Sequence, residues 1–303
     1  MLAGGVGGAL VAFLAVGLLG VRGYVGNFLS FRGYPPPSEP AYVTKAGTQV
    51  QLSVRSPALG GRSQQVYVYL PPGYDAQSTR RYPVLYLLHG TPGRPLAWLE
   101  TVRMGIIDDS DAALHEGQPL ILVMPFGSTG TFTDTEWVDG VGRGNGWQTF
   151  VTRDLVHYVD AHYRTIASGA GRAIGGLSEG GYGAIDMALR HPGEFSVVES
   201  WSGYEQPAKL HSIYGTKLQL LAHNDPMTML PRVAPALRRL HTYFWFYSGT
   251  RDRFRFQNQA FAGELTRLHV RRTFFETPGG HDWSLWRHFA PRGFLAAADG
   301  LRA

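Results

Sequence analysis

Residues of the types that together carry out acyl transfer occur along this sequence. Ser178 lies in the run GGLSEGG, between Gly176 and Gly180 in a G-x-S-x-G pattern. A serine hydroxyl is a weak nucleophile unless a nearby base accepts its proton. The base in turn needs an acid that orients it and stabilises its cation. A histidine and a carboxylate must therefore meet Ser178 if the serine is to attack a carbonyl carbon.

His281 and Asp252 are the candidates for the base and the acid. His281 stands in a glycine-rich loop after the last predicted strand, and Asp252 stands in SGTRD, just past a strand predicted over Thr242–Ser248. The order serine, aspartate, histidine along the chain is one of the orders known for such a triad. Asp282, beside the histidine, and Glu276, inside a predicted strand, remain alternatives for the acid.

Acyl transfer also needs two backbone N–H groups that stabilise the oxyanion. We assign them to Glu179, directly after the serine, and to Thr91, in the loop that follows LLHG. An acidic side chain is unusual so close to a developing anion. We expect the Glu179 carboxylate to be turned away or paired, with an arginine as one candidate partner. His89, in LLHG itself, is expected to be structural.

The hydrophobic pattern predicts the elements that must bring these residues together. Two alternating segments predict antiparallel strands, and continuous apolar runs predict buried strands. The predicted strands are Thr48–Ser56, Gln65–Tyr74, Tyr82–Gly90, Pro119–Pro125, Arg172–Ser178, Phe195–Gly203, Thr242–Ser248 and Val270–Gly280, and the predicted helices are Trp147–Thr165, Glu179–Pro192, Phe254–His269 and Asp282–Ala298. Phe126–Gly146 is predicted to be a long loop. Strands that alternate with helices predict an α/β fold with a mostly parallel central sheet and helices on both faces.

The N-terminal residues predict a membrane anchor. Leu2–Val21 is uncharged and mostly apolar, and about twenty residues in a helix span a bilayer core. A buried core helix is the alternative. A cleaved signal peptide is less favoured, because the segment lacks the basic start and the small-residue cleavage site that signal peptides have. The run YPPPSEP is typical of an extended linker. We predict an anchor segment at 1–34, a linker at 35–47 and a catalytic domain at 48–303, with a cap or insert at 204–240.

The basic residues near the predicted anchor bear on its orientation. Arg22 and Arg32 follow the apolar run and, counted alone, favour a cytoplasmic C-terminus. That count is incomplete if further spans precede the segment in a longer natural chain. We expect a membrane-anchored protein whose catalytic domain lies outside the cytoplasm.

Composition excludes several other classes of protein. The net charge is +5, but the basic residues are scattered, so we expect no nucleic-acid partner. The chain has no cysteine, which rules out disulfides, thiol nucleophiles and cysteine-bound zinc. Asp134, Glu136 and Asp139 could suggest a metal site, yet they lack histidine partners and regular ligand spacing, so a solvated loop is the preferred interpretation. We expect no cofactor.

Tryptophans near the predicted site could line a substrate pocket. Trp98 follows the oxyanion loop and Trp283 follows the base, so these two are the candidates for substrate binding. Trp147 and Trp286 are expected to pack around the loops that carry the triad.

The segments YPVLYLLHG, RAIGGLSEGGYGA, SGTRD and PGGHDWSLW together resemble the esterase branch of the α/β-hydrolases, which includes esterase D and the antigen 85 mycolyltransferases. The resemblance covers about Gln65 to Ala298. It implies an α/β-hydrolase fold, the nucleophile, acid and base named above, and acyl-ester chemistry. Mycolyltransferases have an aspartate where His89 stands and a glutamate as the triad acid, and esterase D proteins are soluble without an apolar anchor, so the substrate stays open.

Together these observations predict a serine carboxylic-ester hydrolase that works through an acyl-enzyme. One alternative keeps the chemistry but transfers the acyl group to a sugar or lipid of the cell envelope. A second alternative is a non-catalytic, hydrolase-like binding domain. The expected partners are an ester substrate, which a lipid or envelope component could supply, and a membrane contacted through residues 2–21.

Overall fold

The computed structural model describes residues 25–26, 28–29, 31–74, 79–130, 133–206 and 210–301. Eight strands form one sheet in the order β1-β2-β4-β3-β5-β6-β7-β8. Their bounds are Thr48–Arg55 (β1), Ser63–Leu70 (β2), Val84–Leu88 (β3), Ile121–Pro125 (β4), Arg172–Leu177 (β5), Val197–Trp201 (β6), Tyr243–Gly249 (β7) and Arg272–Thr277 (β8). The first two strands pair antiparallel, β2 pairs antiparallel with β4, and the remaining pairs are parallel. The predicted fold class, a mostly parallel sheet with an antiparallel edge, agrees with this arrangement.

Helices connect the strands and cover both faces of the sheet. They are Ala97–Glu100 (α1), Met104–Leu114 (α2), Trp147–Thr149 (α3), Val156–His162 (α4), Glu179–Arg190 (α5), Leu210–Tyr214 (α6), Leu218–His223 (α7), Pro226–Arg239 (α8), Arg255–Arg267 (α9) and Trp283–Gly300 (α10). A π-helical turn, Phe150–Leu155, joins α3 to α4, so the predicted helix from Trp147 is nearly continuous.

The core lies in two layers because side chains alternate along each buried strand. In β3, Tyr86 packs in the layer that contains Phe150 and Phe261, whereas Leu85 packs in the opposite layer with Trp201 and Phe294. A continuous apolar sequence is therefore buried on both sides of the sheet. This rigid sheet fixes the positions of the loops at its carboxyl-terminal edge.

Two regions contain helices that were not predicted from the sequence. Helix α2 was not predicted, because Asp108, Asp109 and Asp111 lie on its buried side and break the apolar pattern. The stretch 204–240, predicted as a cap or insert, contains α6 and α7 and then α8. Helix α8 packs against α5, and it contains Pro231 and Pro235, which obscure helical periodicity in the sequence.

The predicted anchor, Leu2–Val21, lies outside the described residues. Among the residues that the structure describes, no helix is long and apolar enough to cross a membrane. The stretch predicted as a linker, 35–47, is described and contacts the domain. The Gly47 amide donates to the Asp109 carboxylate at 2.9 Å, and an Arg103 guanidinium nitrogen donates to the Pro35 carbonyl at 3.0 Å.

Candidate active site

Ser178 stands at a sharp turn between strand β5 and helix α5. Its backbone has φ 55° and ψ −119°, a conformation that costs a residue other than glycine about 1–3 kcal/mol. A Cβ on Gly176 would lie 2.2 Å from the Gly180 backbone, and one on Gly180 would lie 2.1 Å from the Leu88 carbonyl oxygen. The flanking glycines are therefore needed because the turn is too tight for any side chain there.

The structure brings Ser178, His281 and Asp252 into one hydrogen-bonded chain. The Ser178 Oγ lies 2.9 Å from His281 Nε2, and His281 Nδ1 lies 3.0 Å from Asp252 Oδ2. Each residue follows a parallel strand, and the carboxyl ends of parallel strands lie along one edge of a sheet. A proton on Nδ1 donated to Asp252 leaves Nε2 as the acceptor for the serine hydroxyl.

Asp252 is placed to stay ionised. Burial alone would raise the pKa of its carboxyl, but the hydrogen bond and charge of His281, together with the Phe254 amide, outweigh burial and lower that pKa. The alternative acids have other partners. Asp282 accepts from the Leu285 amide at the start of α10, and Glu276 forms an ion pair with Arg255.

Two backbone amides are available for the oxyanion. Glu179 is the first residue of helix α5, and Thr91 follows β3. Among the described residues, neither amide donates to a protein acceptor. The helix N-terminus adds a partial positive charge at the same place.

His89 supports the Thr91 loop from within the core, as expected of a structural histidine. Its Nε2 accepts from the Gly127 amide at 3.1 Å, and its Nδ1 lies 2.9 Å from the Gly90 carbonyl. Burial lowers the pKa of His89 to about 4, so the ring is neutral. A neutral ring matches one donating and one accepting nitrogen.

The Glu179 carboxyl is buried and paired with oxygen groups, and none of the described arginines forms an ion pair with it. It accepts a hydrogen bond from the Thr91 hydroxyl and interacts with the carboxyl of Asp134. Burial, followed by the charges of Asp134 and Glu136, raises the pKa of Glu179 well above its usual range. This shift favours the neutral carboxyl, which would add no negative charge beside the oxyanion.

The loop of Asp134, Glu136 and Asp139 is not the solvated loop expected from the sequence. Glu136 is buried and accepts a hydrogen bond from the Tyr204 hydroxyl. Asp139 accepts from the amide and hydroxyl of Thr149. Among the described residues, no cluster of three or more potential ligands could hold a metal ion.

Ser178 lies where an apolar groove and a polar cleft meet. The groove has a volume of about 330 Å³, and its apolar walls include Phe28, Phe31, Pro92, Leu177, Trp283 and Trp286. The cleft has a volume of about 280 Å³, and its polar walls include Asp134, Glu136, Tyr204, Gln206, Arg253 and Gln257. A larger surface hollow of about 740 Å³ does not include Ser178.

The tryptophans considered for substrate binding lie in different environments. Trp283 and Trp286 both line the groove, although Trp286 was expected only to pack. The prediction for Trp98 is wrong. Helix α1 turns its indole into the core, where it is fully buried with its ring centroid 5.1 Å from that of Trp201. Phe28 and Phe31 were missed because they lie in the predicted anchor segment and not in the predicted domain.

Comparisons with known proteins place the chain in a family. Residues 56–294, most of the chain, match the model of the Esterase family, described as "Putative esterase". An esterase of Mycobacterium tuberculosis is 37% identical over 155 residues, which cover 51% of this chain and 32% of that protein. The chain thus spans about a third of the length of that relative. The mycolyltransferase antigen 85B of Mycolicibacterium smegmatis, also named a diacylglycerol acyltransferase, is 24% identical, with 92% of this chain and 90% of that protein covered.

Solved structures share the fold. A ferulic acid esterase superposes with a TM-score of 0.73 at 23% identity, covering 85% of this chain and all of that one. An S-formylglutathione hydrolase from Agrobacterium tumefaciens superposes with a TM-score of 0.71 at 17% identity, covering 88% and 99%. The chain belongs to the Esterase family and has an α/β-hydrolase-like fold.

Proposed function

We propose that the protein is a serine carboxylic-ester hydrolase that works through an acyl-enzyme. The observation that carries this proposal is the hydrogen-bonded chain from Ser178 through His281 to Asp252. His281 Nε2 accepts the hydroxyl proton as Ser178 Oγ bonds to the ester carbonyl carbon. Asp252 stabilises the resulting imidazolium without taking its proton.

The tetrahedral intermediate then collapses to the acyl-enzyme. The bond between the carbonyl carbon and the alcohol oxygen breaks, and His281 gives its proton to the departing alcohol. The amides of Thr91 and Glu179 stabilise the negative oxygen. Loss of a single such donor typically lowers kcat by about 10²–10³-fold. A water molecule, deprotonated by His281, then attacks the acyl carbon, and the bond from that carbon to Ser178 Oγ breaks as His281 returns the proton to Oγ, which releases the acid.

Transfer to an alcohol in place of water is the alternative outcome. The polar cleft beside Ser178 supports it, since the carboxyl and amide groups in its walls suit a hydroxyl-rich acceptor. The similarity to antigen 85B favours the same alternative, with a sugar or lipid of the cell envelope as acceptor. Product analysis with glycerol, trehalose or a monoacylglycerol decides between the outcomes, because transfer diverts product from free acid to a new ester.

Hydrolysis of p-nitrophenyl esters from acetate to palmitate tests the proposed function. We expect turnover by the wild type and a loss of about 10³-fold or more in kcat for Ser178→Ala. The matched control is Ser53→Ala, because Ser53 is an exposed serine on β1. Activity that survives in Ser178→Ala refutes the assignment of the nucleophile. A wild type that hydrolyses no ester and transfers no acyl group leaves the non-catalytic binding domain as the better account.

We also propose that residues 2–21 attach the protein to a membrane and that the catalytic domain lies outside the cytoplasm. The uncharged apolar run Leu2–Val21 supports this proposal. Membrane fractionation followed by protease treatment of intact cells tests it. The proposal fails if the full chain stays in the soluble fraction, and the orientation fails if protease cuts the domain only after lysis.

A further inference from the structure

The segment that precedes the predicted linker forms a wall of the apolar groove. Phe28 and Phe31 line the same groove as Ser178 and His281, together with Trp283 and Trp286 of the predicted domain. Their positions in the sequence, within the segment predicted as an anchor, gave no reason to place them at the nucleophile. The groove is thus closed on one side by residues that lie outside the predicted catalytic domain.

Several contacts hold this wall in place. The Thr101 hydroxyl donates to the Phe31 carbonyl at 3.2 Å, and Arg103 donates to the Pro35 carbonyl at 3.0 Å. The Phe31 ring contacts Trp283, with the centroids 5.7 Å apart. Side chains of helix α10 and of the turn between α1 and α2 therefore hold the segment against the domain.

An unbroken series of aromatic rings leads from this wall to the base. Trp283 packs edge-on against Trp286 at 4.9 Å, and Trp286 packs edge-on against His281 at 5.1 Å. An acyl group bound along these rings would lie with its carbonyl end at Ser178. The chain would extend away from the nucleophile towards Phe31 and Phe28.

The wall also exposes apolar surface that an acyl chain could cover. Phe28 is 49% exposed although it lines the same groove as Ser178, and its neighbour Leu29 is 42% exposed. Burying one methylene group gains about fourfold in affinity, given the usual free energy per buried CH₂. A groove of about 330 Å³ holds about ten groups the size of a water molecule, which suits an acyl chain of medium length.

We propose that Phe28 and Phe31 are specificity-determining residues that bind the acyl chain of the substrate and favour an unbranched apolar chain of about six to ten carbons. This inference rests on the proposed esterase function. It assigns substrate selection to a segment outside the hydrolase domain, whereas Ser178, His281 and Asp252 carry the chemistry. The two roles can be separated by experiment.

The test compares the kcat/KM for p-nitrophenyl octanoate with that for p-nitrophenyl acetate, using the full chain in one fixed detergent. We expect the wild type to prefer octanoate. Phe31→Ala should lower the octanoate-to-acetate ratio by about tenfold, the loss of between one and two buried methylene groups, and Phe28→Ala should lower it by about fourfold. The matched control is Phe256→Ala, which removes a 73% exposed ring on α9 and should leave the ratio unchanged.

Folding and chemistry are controlled separately. Phe31→Leu keeps an apolar side chain, should fold if Phe31→Ala does not, and should lower the ratio by a smaller factor. The inference is overturned if the wild type shows no preference for octanoate, or if the Phe31 variants keep the wild-type ratio while hydrolysis still depends on Ser178. Hydrolysis that does not depend on Ser178 instead overturns the proposed function, and this inference with it.

Discussion

Glu205 is a carboxyl group buried close to the acid of the proposed triad, and its ionisation should control how stability depends on pH. It follows strand β6 and is fully buried. Within the described part of the chain, neither carboxyl oxygen has a hydrogen-bond partner. Burial, followed by the charge of Asp252, raises the pKa of Glu205 from 4.5 to about 8.

The magnitude follows from proton linkage. Between pH 4.5 and 8 the folded state keeps the Glu205 proton and the unfolded state loses it. The stability contribution is fully present below pH 4.5 and is lost as pH rises through the folded pKa. One proton changes the free energy of unfolding by about 1.4 kcal/mol per pH unit. From pH 5.5 to 7.5 the loss attributable to Glu205 is therefore about 3 kcal/mol.

Glu205→Gln removes the ionisable carboxyl group while changing the shape of the side chain little. Relative to the wild type, the variant should gain about 3 kcal/mol of unfolding free energy on going from pH 5.5 to 7.5. Urea unfolding followed by tryptophan fluorescence at three pH values measures the difference. Other buried acids, such as Asp186 and Glu199, also have a raised pKa, but they are present in both proteins and cancel.

Glu116→Gln is the matched control, since Glu116 is exposed. The difference in free energy of unfolding between Glu116→Gln and the wild type should change by less than about 0.5 kcal/mol across the same pH range, as is usual for surface substitutions. A Glu205→Gln difference that stays constant with pH would refute the reasoning. It would mean that Glu205 is ionised in the folded protein at both pH values.

Two further predictions concern the geometry of the site. Gly180→Ala places a Cβ 2.1 Å from the Leu88 carbonyl, so it should destabilise the fold by about 1–3 kcal/mol and lower kcat by about 10²-fold. The control is Gly263→Ala, on α9 with open space around the glycine, which should instead stabilise the fold by about 0.5–1 kcal/mol. Equal unfolding midpoints for Gly180→Ala and Gly263→Ala would contradict this prediction. Asp252→Asn should lower kcat by about 10³–10⁴-fold while leaving the fold intact, because an amide no longer stabilises the His281 cation. Wild-type kcat in Asp252→Asn would show that another group is the acid.

The fold and the meeting of Ser178, Asp252 and His281 could be predicted because local and global signals agree. Buried strands such as β3 and β4 are continuous apolar runs. In a parallel sheet, residues that follow successive strands must lie along one edge. The order of Ser178, Asp252 and His281 therefore carried enough information to place the three together.

The remaining features depend on packing that spacing along the chain does not encode. Trp98 and Trp283 lie similarly close to site loops in sequence, yet helix α1 turns Trp98 into the core. Helix α2 was not predicted because its buried carboxyl side chains interrupt the apolar pattern of the sequence. Phe28 and Phe31 reach the groove only because their segment folds back onto the domain, a long-range contact with no local pattern.

Covalent labelling with a fluorophosphonate probe tests the central claim most directly. The serine oxygen displaces fluoride from phosphorus, so a reactive serine acquires a stable adduct whose position peptide mass spectrometry identifies. We predict one adduct, on the peptide that contains Ser178, with labelling abolished in Ser178→Ala and strongly slowed in His281→Ala. Labelling of Ser178→Ala at the wild-type rate would contradict the account.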